Sequence, residues 1–448
     1  MAAPNVPRVV ERVAALTDLS GRAALAVYSL AARLAAPAIR RLLSRRAARG
    51  KEDPSRLGER FGRTSQARPQ KPLVWLHGAS VGEALSILPL LEALGRAQPD
   101  VALLITTGTA SSAALLARRL PAAVVHQFAP VDVPSAVRAF LDHWNPVLSV
   151  RVESELWPNT LLALRERGIP ALLVNGRMSD RSFRHWRRIP GVASILMRCF
   201  AGVLAQSEAD ADRFRRLGAL NLPYVGNLKL SAPDLPCNRE ELASIRQRLG
   251  QRPVWVAAST HPGEESLIAE VHRQTSSRCF GLLTIIVPRH PERGPEIAGV
   301  LRAQGLRVEL RSQGRGLESE EIYIADSFGD LGTWYRLSRV VFVGGSLVPH
   351  GGHNPIEPAR LGCAVAAGPH MSNFREVADL LIQRRALVIV NSADELTAFV
   401  SKELTTVGAN RLDEEALRRE GETILATVTD FLSGWLREGP RAQPTSRT

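Results

Sequence analysis

The chain has 448 residues, 45% of them hydrophobic and 23% charged, which excludes a disordered or fibrous protein and calls for more than one core. Its four cysteines, Cys199, Cys237, Cys279 and Cys363, lie far apart; this excludes a small disulfide framework and zinc-ribbon spacing and fits a reducing cytosolic setting. The formal charge of +13 comes with no basic stretch interleaved with aromatics and no recognisable nucleic-acid module, so nucleic acid is not expected as a partner.

Much of the positive charge sits near the start, where Arg40, Arg41, Arg45, Arg46, Arg49 and Lys51 crowd together. Before them, residues 23–39 are mostly Ala, Leu, Val and Ile, broken by Ser29, Arg33 and Pro37. A spanning helix needs roughly 20 strongly apolar residues, and a secretory signal would need a cleaner apolar run leading to a cleavage site. The pattern predicts a helix in or on a membrane, with the arginines against anionic headgroups. A solvated amphipathic helix is the plainer alternative.

Two halves then alternate short apolar runs with helical patterns, as parallel α/β sheets do. Strands are predicted at Leu73–His77, Val101–Thr106, Val147–Val152, Ala171–Val174 and Gly202–Ala205, with helices such as Glu83–Arg96 and Ala110–Arg119 between them. The second half repeats the theme at Val254–Ala258, Leu282–Val287, Ile322–Ala325, Val340–Val343 and Ala364–Ala366. Asn221–Asn238, with three prolines, one glycine and no helical period, reads as the connection. A helical pattern over Leu412–Trp435 and a polar tail end the chain. The expected segments are a membrane-associated helix and basic stretch (1–55), an N-terminal Rossmann-like acceptor domain (56–222), a C-terminal Rossmann-like nucleotide-sugar domain (223–408) and a terminal helix with tail (409–448). Two doubly wound sheets facing a central cleft place ligands at the carboxyl ends of their strands.

The chemistry is carried by motifs at those ends. In GASVGEA (Gly78–Ala84) a Gly- and Ser-containing turn follows a strand, and Glu83 falls in the first helical turn. The helix start favours its ionised form, which suits a general base for a hydroxyl; a plain helix-start carboxylate is the alternative. Glu153 and Glu155 in VESELWPN also follow a strand, so that one acid can face a ligand while the other pairs locally. Lys229 in GNLK, taken alone, reads as solvated. Arg289, after Pro288 in PRHPER, suits a phosphate clamp because its guanidinium offers a forked pair of donors. Gly344-Gly345-Ser346 closes the strand Val340–Val343, and Gly351-Gly352, with Asn354, Pro355, Ile356 and Glu357 following, reads as opening a helix whose N–H groups can hold a phosphate, with Glu357 for ribose hydroxyls. The strand, the two Gly-rich loops and the acid together suggest a nucleotide site. Asp210 and Asp212 resemble a metal-binding acid pair, but Ser207 before them looks like a helix N-cap. His350 and His353 are separated by Gly-Gly, which argues for a loop rather than a metal site. A P-loop lysine is missing.

Together these motifs closely resemble the 3-deoxy-D-manno-octulosonate (Kdo) transferases. RLGERFG (Arg56–Gly62), GASVGEA, Thr106–Ser111, Phe128–Pro134, VESELWPN, Asn175–Ser182, GNLK, ASTHPGEE (Ala258–Glu265), PRHPER and GGSLVPHGGHNPIEP occur in that family's order over nearly the whole chain. The resemblance implies a GT-B fold and transfer of Kdo from CMP-Kdo to a 6-hydroxyl of the lipid A precursor, with inversion. It implies no metal, no cofactor and a place at the cytoplasmic face of the bacterial inner membrane. By matching position, Glu83 is the implied proton acceptor, and Glu153 and Lys229 the implied transition-state stabilisers, which replaces the solvated reading of Lys229. The implied CMP site comprises Pro288, Arg289, Phe328, Gly329, Asp330 and Asn354 through Glu357. The chain departs from the family at DSFGDL (Asp326–Leu331), where DTMGEL is common, so Asp330 stands in for a longer Glu. Arg177 and Arg181, with the residues above, supply charge complementary to an acidic donor and a phosphorylated acceptor. Two other functions remain open: a nucleotide-sugar epimerase on the same scaffold, which would need no membrane helix, and a non-catalytic lipid-binding scaffold, which would not need Glu83, Glu153 and Lys229 together.

Overall fold

The computed structural model describes residues 6–405, except 118, 221 and 315–316, and residues 414–438. The polar tail expected after the last helix (439–448) lies outside the described residues. The chain divides into two compact units, one formed by Met1–Ala232 with Glu420–Thr448, the other by Pro233–Arg419.

In the first unit helix α1 (Val6–Ala48) and a 3₁₀ turn (Pro54–Phe61) precede an alternation: β1 (Leu73–His77), α2 (Val81–Ala97), β2 (Ala102–Thr107), α3 (Ala110–Ala117), β3 (Val124–Phe128), α4 (Pro134–Trp144), β4 (Leu148–Val152), α5 (Pro158–Glu166), β5 (Ala171–Gly176), α6 (Asp180–Trp186), α7 (Pro190–Met197), β6 (Phe200–Ala205) and α8 (Glu208–Arg216). The six strands are parallel in the order β3-β2-β1-β4-β5-β6. Strands β1, β2, β4 and β5 are buried along their whole length, as continuous apolar runs covered on both faces must be. The order of strand addition reverses between β1 and β4, which opens the ligand crevice of such a sheet at their carboxyl ends. Strand β3 has no counterpart in the sequence reading, because His126 and Gln127 interrupt its apolar run. Gln127 is nonetheless buried, and its side-chain oxygen accepts from the Trp144 indole at 2.7 Å.

The second unit runs α9 (Arg239–Leu249), β7 (Val254–Thr260), α10 (Glu264–Ser276), β8 (Leu283–Pro288), α11 (Gly294–Ala303), β9 (Val308–Leu310), β10 (Ile322–Ile324), α12 (Leu331–Leu337), β11 (Val340–Val343), α13 (Ile356–Arg360), β12 (Ala364–Ala367), α14 (Arg375–Gln383), β13 (Leu387–Ile389) and α15 (Ala393–Thr405). Its seven parallel strands are ordered β13-β12-β11-β7-β8-β10-β9. The three-residue edge strands β9 and β13 are too short to leave a periodic signal in the sequence. Helix α16 (Glu414–Glu438) passes from the second unit to the first at Arg419/Glu420. Two doubly wound parallel sheets of this kind make the architecture GT-B in type.

Helix α1 has 43 residues and extends well beyond the apolar stretch 23–39, because the Ala-, Leu- and Arg-rich flanks are strong helix formers. The part from Asp18 to Ala48 is long and apolar enough to cross a membrane. It docks on α7: a Cβ on Gly21 would lie 2.5 Å from the Gly191 carbonyl carbon, Leu25 is buried, and Asp18 pairs with Arg198 at 2.5 Å. Leu19, Val27, Leu30, Leu34 and Leu42 remain exposed. Gly21→Ala therefore sets a gain of about 1 kcal/mol in helix propensity against a collision with backbone that cannot swing aside. The collision should win: the expected result is a lower unfolding midpoint and faster proteolysis near Arg45–Lys51, and unchanged proteolysis would exclude the close α1–α7 contact.

Candidate active site

The turn after β1 folds as a helix start. Ser80 is the N-cap of α2, and its hydroxyl accepts from the Glu83 N–H at 3.3 Å while donating to Glu83 Oε1 at 2.9 Å. Glu83 Oε2 accepts from the Ala79 N–H at 2.8 Å. This reciprocal arrangement resembles a capping box, with the acid bonded to the N–H of the residue before the cap instead of the cap's own, and it aims the carboxylate back at the carboxyl end of β1. Burial first, then the charges of Glu153 and Glu155, push the Glu83 carboxyl up to about 7, against the pull of its two donors.

Across the β1–β4 reversal, Glu153 follows β4 with φ of 60°. A non-glycine residue in the left-handed region costs on the order of 1–3 kcal/mol and is kept where its placement matters. Its Oε1 lies 2.6 Å from Lys229 Nζ and its Oε2 4.0 Å from Arg177. Lys229 stands in a 3₁₀ turn (Leu228–Ser231) capped by Asn227. Asn175, at the end of β5, accepts from the Leu228 N–H at 2.9 Å. From the other side α16 presses on this segment: a Cβ on Gly421 would lie 2.2 Å from the Leu230 carbonyl oxygen. The solvated reading of Lys229 thus gives way to a fixed ion pair, brought about by residues distant in sequence.

Glu155 pairs locally instead. It lies 3.5 Å from His77 Nε2 and accepts from the Trp157 indole. Burial opposes its ionisation, but His77 and Arg151 outweigh this and lower its pKa. Burial and then Arg151 hold His77 down to about 4, so the ring is neutral at pH 7. Asp210, considered above as a metal ligand, accepts from the Met178 N–H at 2.8 Å, and its own N–H is capped by Ser207; it fastens the start of α8.

In the second unit, Pro288 ends β8 and is buried, and Arg289 beside it is exposed. Arg293 of the same motif instead makes a 2.7 Å pair with Glu265. Phe328 is 75% exposed and Gly329 has φ of 95°. Asp330 stands at the N-cap position of α12 without a side-chain capping bond and is gripped by Arg311 at 3.0 Å and by the Ser327 hydroxyl, so the shorter side chain has protein partners. Asn354 Nδ2 donates to Glu357 Oε1 at 3.2 Å and its Oδ1 accepts from the Ile356 N–H; Pro355 and Ile356 are buried.

Two expectations for this unit need correction. The amides of Gly345, Ser346 and Leu347 donate to the fully buried Glu264 at 2.7, 3.0 and 3.0 Å, so the first glycine loop, expected as part of a nucleotide site, has these three amides taken by the protein's own carboxylate. The second pair, Gly351 and Gly352, precedes α13 by several residues, and that helix has only five, too few for an aligned dipole of any size. What the unit does gather at its strand ends is a histidine group in which His261 joins His350 and His353, the two that the sequence places on a loop. His261 stacks on His350 at 4.3 Å, and its Nε2 lies 2.9 Å from that of His353. Burial, then Arg289 and the neighbouring rings, hold His353 down to about 4.

The family model described as 3-deoxy-D-manno-octulosonic-acid transferase (kdotransferase) matches residues 55–232. The 3-deoxy-D-manno-octulosonic acid transferase of Rickettsia bellii is 36% identical over 348 residues, 78% of this chain and 83% of the relative. The chain belongs to the Kdo transferase family. A crystal structure of the C-terminal CMP-Kdo binding domain of WaaA from Acinetobacter baumannii is 35% identical, covering 42% of this chain and 96% of that one with a TM-score of 0.38. A glycosyltransferase from Rickettsia africae, at 13% identity and TM-score 0.53, covers 82% of this chain and all of that one, and shares the fold.

Within this Kdo transferase, Glu83 binds its proton more tightly when folded than unfolded, where its pKa is near 4.5. Its contribution to stability therefore falls as pH rises from about 4.5 through 7. Glu83→Gln should be more stable than the wild type at pH 8, with the advantage shrinking towards pH 4.5; a pH-independent difference in urea midpoint would exclude a raised pKa.

Proposed function

We propose that this member transfers Kdo from CMP-Kdo to a hydroxyl of the lipid A precursor, with inversion and without a metal, at the cytoplasmic face of the inner membrane. Glu83 carries the reading: it is a buried carboxylate with a pKa of about 7, at the point where the strand order reverses and beside a fixed Glu153–Lys229 pair. A base with that pKa is half ionised at neutral pH, where general-base catalysis is most effective.

In this mechanism Glu83 takes the proton of the acceptor hydroxyl. The hydroxyl oxygen bonds to the anomeric carbon as the carbon–oxygen bond to phosphate breaks, and CMP leaves with the bonding pair. A single displacement inverts the anomeric centre. Lys229, oriented by Glu153, offers positive charge to the carboxylate and leaving group of the donor. Arg289, with Pro288, the segment Phe328–Asp330 and the segment Asn354–Glu357, binds the CMP portion. Prealigned charges of this kind contribute a few kcal/mol each to a transition state, about 3 for a single donor. Helix α1, with its exposed leucines and basic end, holds the enzyme at the membrane where the acceptor resides.

Glu83→Gln should lower kcat by about 10²–10⁴ and leave CMP-Kdo binding unchanged, with the product read by mass spectrometry. In the wild type, kcat/KM should rise about tenfold per pH unit below 7 and level off above it. Near-normal turnover of the Gln variant would exclude Glu83 as the base. Lys229→Met should cut turnover while preserving the fold, as checked by circular dichroism.

A further inference from the structure

A cavity of ≈ 740 Å³ lies between α1 and the carboxyl ends of β1 and β4, within the first unit. That size is within the range of about 300–1,000 Å³ that encloses small ligands. Ala32, Ile39 and Leu43 of α1 form one wall, and Trp75, Ala79 and Arg151 belong to the other. Most of the lining is apolar, yet it includes the guanidinium of Arg151, the carboxylate of Asp132, and Arg46 and Arg60, which pair with Glu52.

Arg151 is an unusual residue for its place. It sits in the fully buried strand β4, opposite His77 of β1, and is 2% exposed. Its Nε and Nη1 have no hydrogen-bond partner among the described residues. The Trp75 ring 5.0 Å from its Cζ supplies a cation–π contact but no acceptor. Burial lowers its pKa to about 10, with Glu155, Asp132 and Glu83 pulling the other way, so it keeps its charge at neutral pH. Those carboxylates balance the charge without accepting its hydrogen bonds. Asp132 already accepts from the amides of Asn159 and Thr160, the Thr160 hydroxyl and the Tyr28 hydroxyl. Glu155 is taken by His77 and Trp157. Leaving buried donors unmade costs about 1–3 kcal/mol each; these two atoms are closed to solvent, while the side chain that carries them belongs to the cavity wall.

We propose that this cavity seats an acyl chain of the lipid acceptor and that Arg151 binds a phosphate oxygen of the same molecule. The inference rests on the acceptor being a phosphorylated, acylated sugar, as in the reading above. Continuity with the catalytic carboxylate identifies the occupant: Ala79, whose N–H donates to Glu83, is also part of the cavity wall. A molecule bound here presents its hydroxyl to Glu83 only if chain, phosphate and hydroxyl belong to one compact headgroup. The exposed apolar residues of α1 give the chain a route from the bilayer without crossing water. Arg151 is thus a specificity residue for the acceptor.

The test uses the full chain in detergent, with Arg151→Met, Arg151→Lys and Ala32→Trp. With the tetra-acylated, bis-phosphorylated lipid A precursor, Arg151→Met should raise the acceptor KM about tenfold to hundredfold, the worth of a charge-assisted hydrogen bond. Arg151→Lys should recover part of that, and the donor KM should not change. With the chemically dephosphorylated precursor the Met variant and wild type should coincide. Ala32→Trp, which fills the cavity and leaves Arg151 alone, should raise KM for the acylated acceptor but not for a deacylated one. An unchanged acceptor KM in both variants, an equal loss on the dephosphorylated acceptor, or competition by phosphatidylglycerol vesicles that Arg151→Met abolishes would each overturn the assignment. Failure of the wild type to transfer Kdo at all would instead overturn the functional reading beneath it.

Discussion

The Ala79 N–H and the Ser80 hydroxyl both donate to Glu83, and these two bonds let a carboxylate remain at a buried helix start where desolvation would otherwise expel it. The rest of the first sheet is arranged around that point. Strand order reverses there, so β1 and β4 deliver their following residues to one place. Glu153 then takes a strained conformation, and Lys229 is tied down from β5 by Asn175 and from α16 by Gly421. Two acids and a lysine from three segments converge because a doubly wound sheet has only one such reversal.

The second unit shows what a similar residue does when it is fully satisfied. Glu264, at the first position of α10, also reaches back past its helix start, but it accepts from the amides of His261, Gly345, Ser346 and Leu347. Four donors leave a carboxylate nothing to offer a substrate, and Glu264 staples one loop to another. Glu83 has two donors and two carboxylate neighbours, a balance that leaves it a usable base. The number of donors, rather than the position on the helix, separates the satisfied Glu264 from the carboxylate proposed as the base.

That distinction marks the limit of what the sequence discloses. Strand cores such as Leu73–His77 and Val340–Val343 announce themselves by composition, and the position of Glu83 in the first turn of a helix follows from the Ser three residues before it. The Lys229–Glu153 pair does not, since it depends on a tertiary tie through Asn175. The Gly344–Ser346 loop misleads for the same reason: nothing local says that its amides are filled by an acid 80 residues earlier. Arg151 left a trace, a charge inside an otherwise apolar strand, but only burial without partners gives that charge a meaning. His261 lies about 90 residues from His350 and His353, and nothing in its local sequence joins it to them.

Helix α1 divides its basic cluster in a way that composition conceals. Arg46 pairs with Glu52, and Arg40 lies over the Phe61 ring, so these charges are partly committed within the protein. Arg41, Arg45, Arg49 and Lys51 remain exposed. At about 1 kcal/mol per basic residue near an anionic surface, four such residues give an attraction that is real but reversible. Burying exposed leucine and valine side chains contributes about 1.5–3 kcal/mol each, and Leu19, Val27, Leu30, Leu34 and Leu42 together outweigh the arginines. Affinity for the bilayer should therefore depend on the apolar face and persist at high salt, while the basic end sets orientation. In the proposed placement at a membrane, the cavity beneath α1 would lie at the depth where acyl chains begin, which is where a lipid-borne hydroxyl would be met.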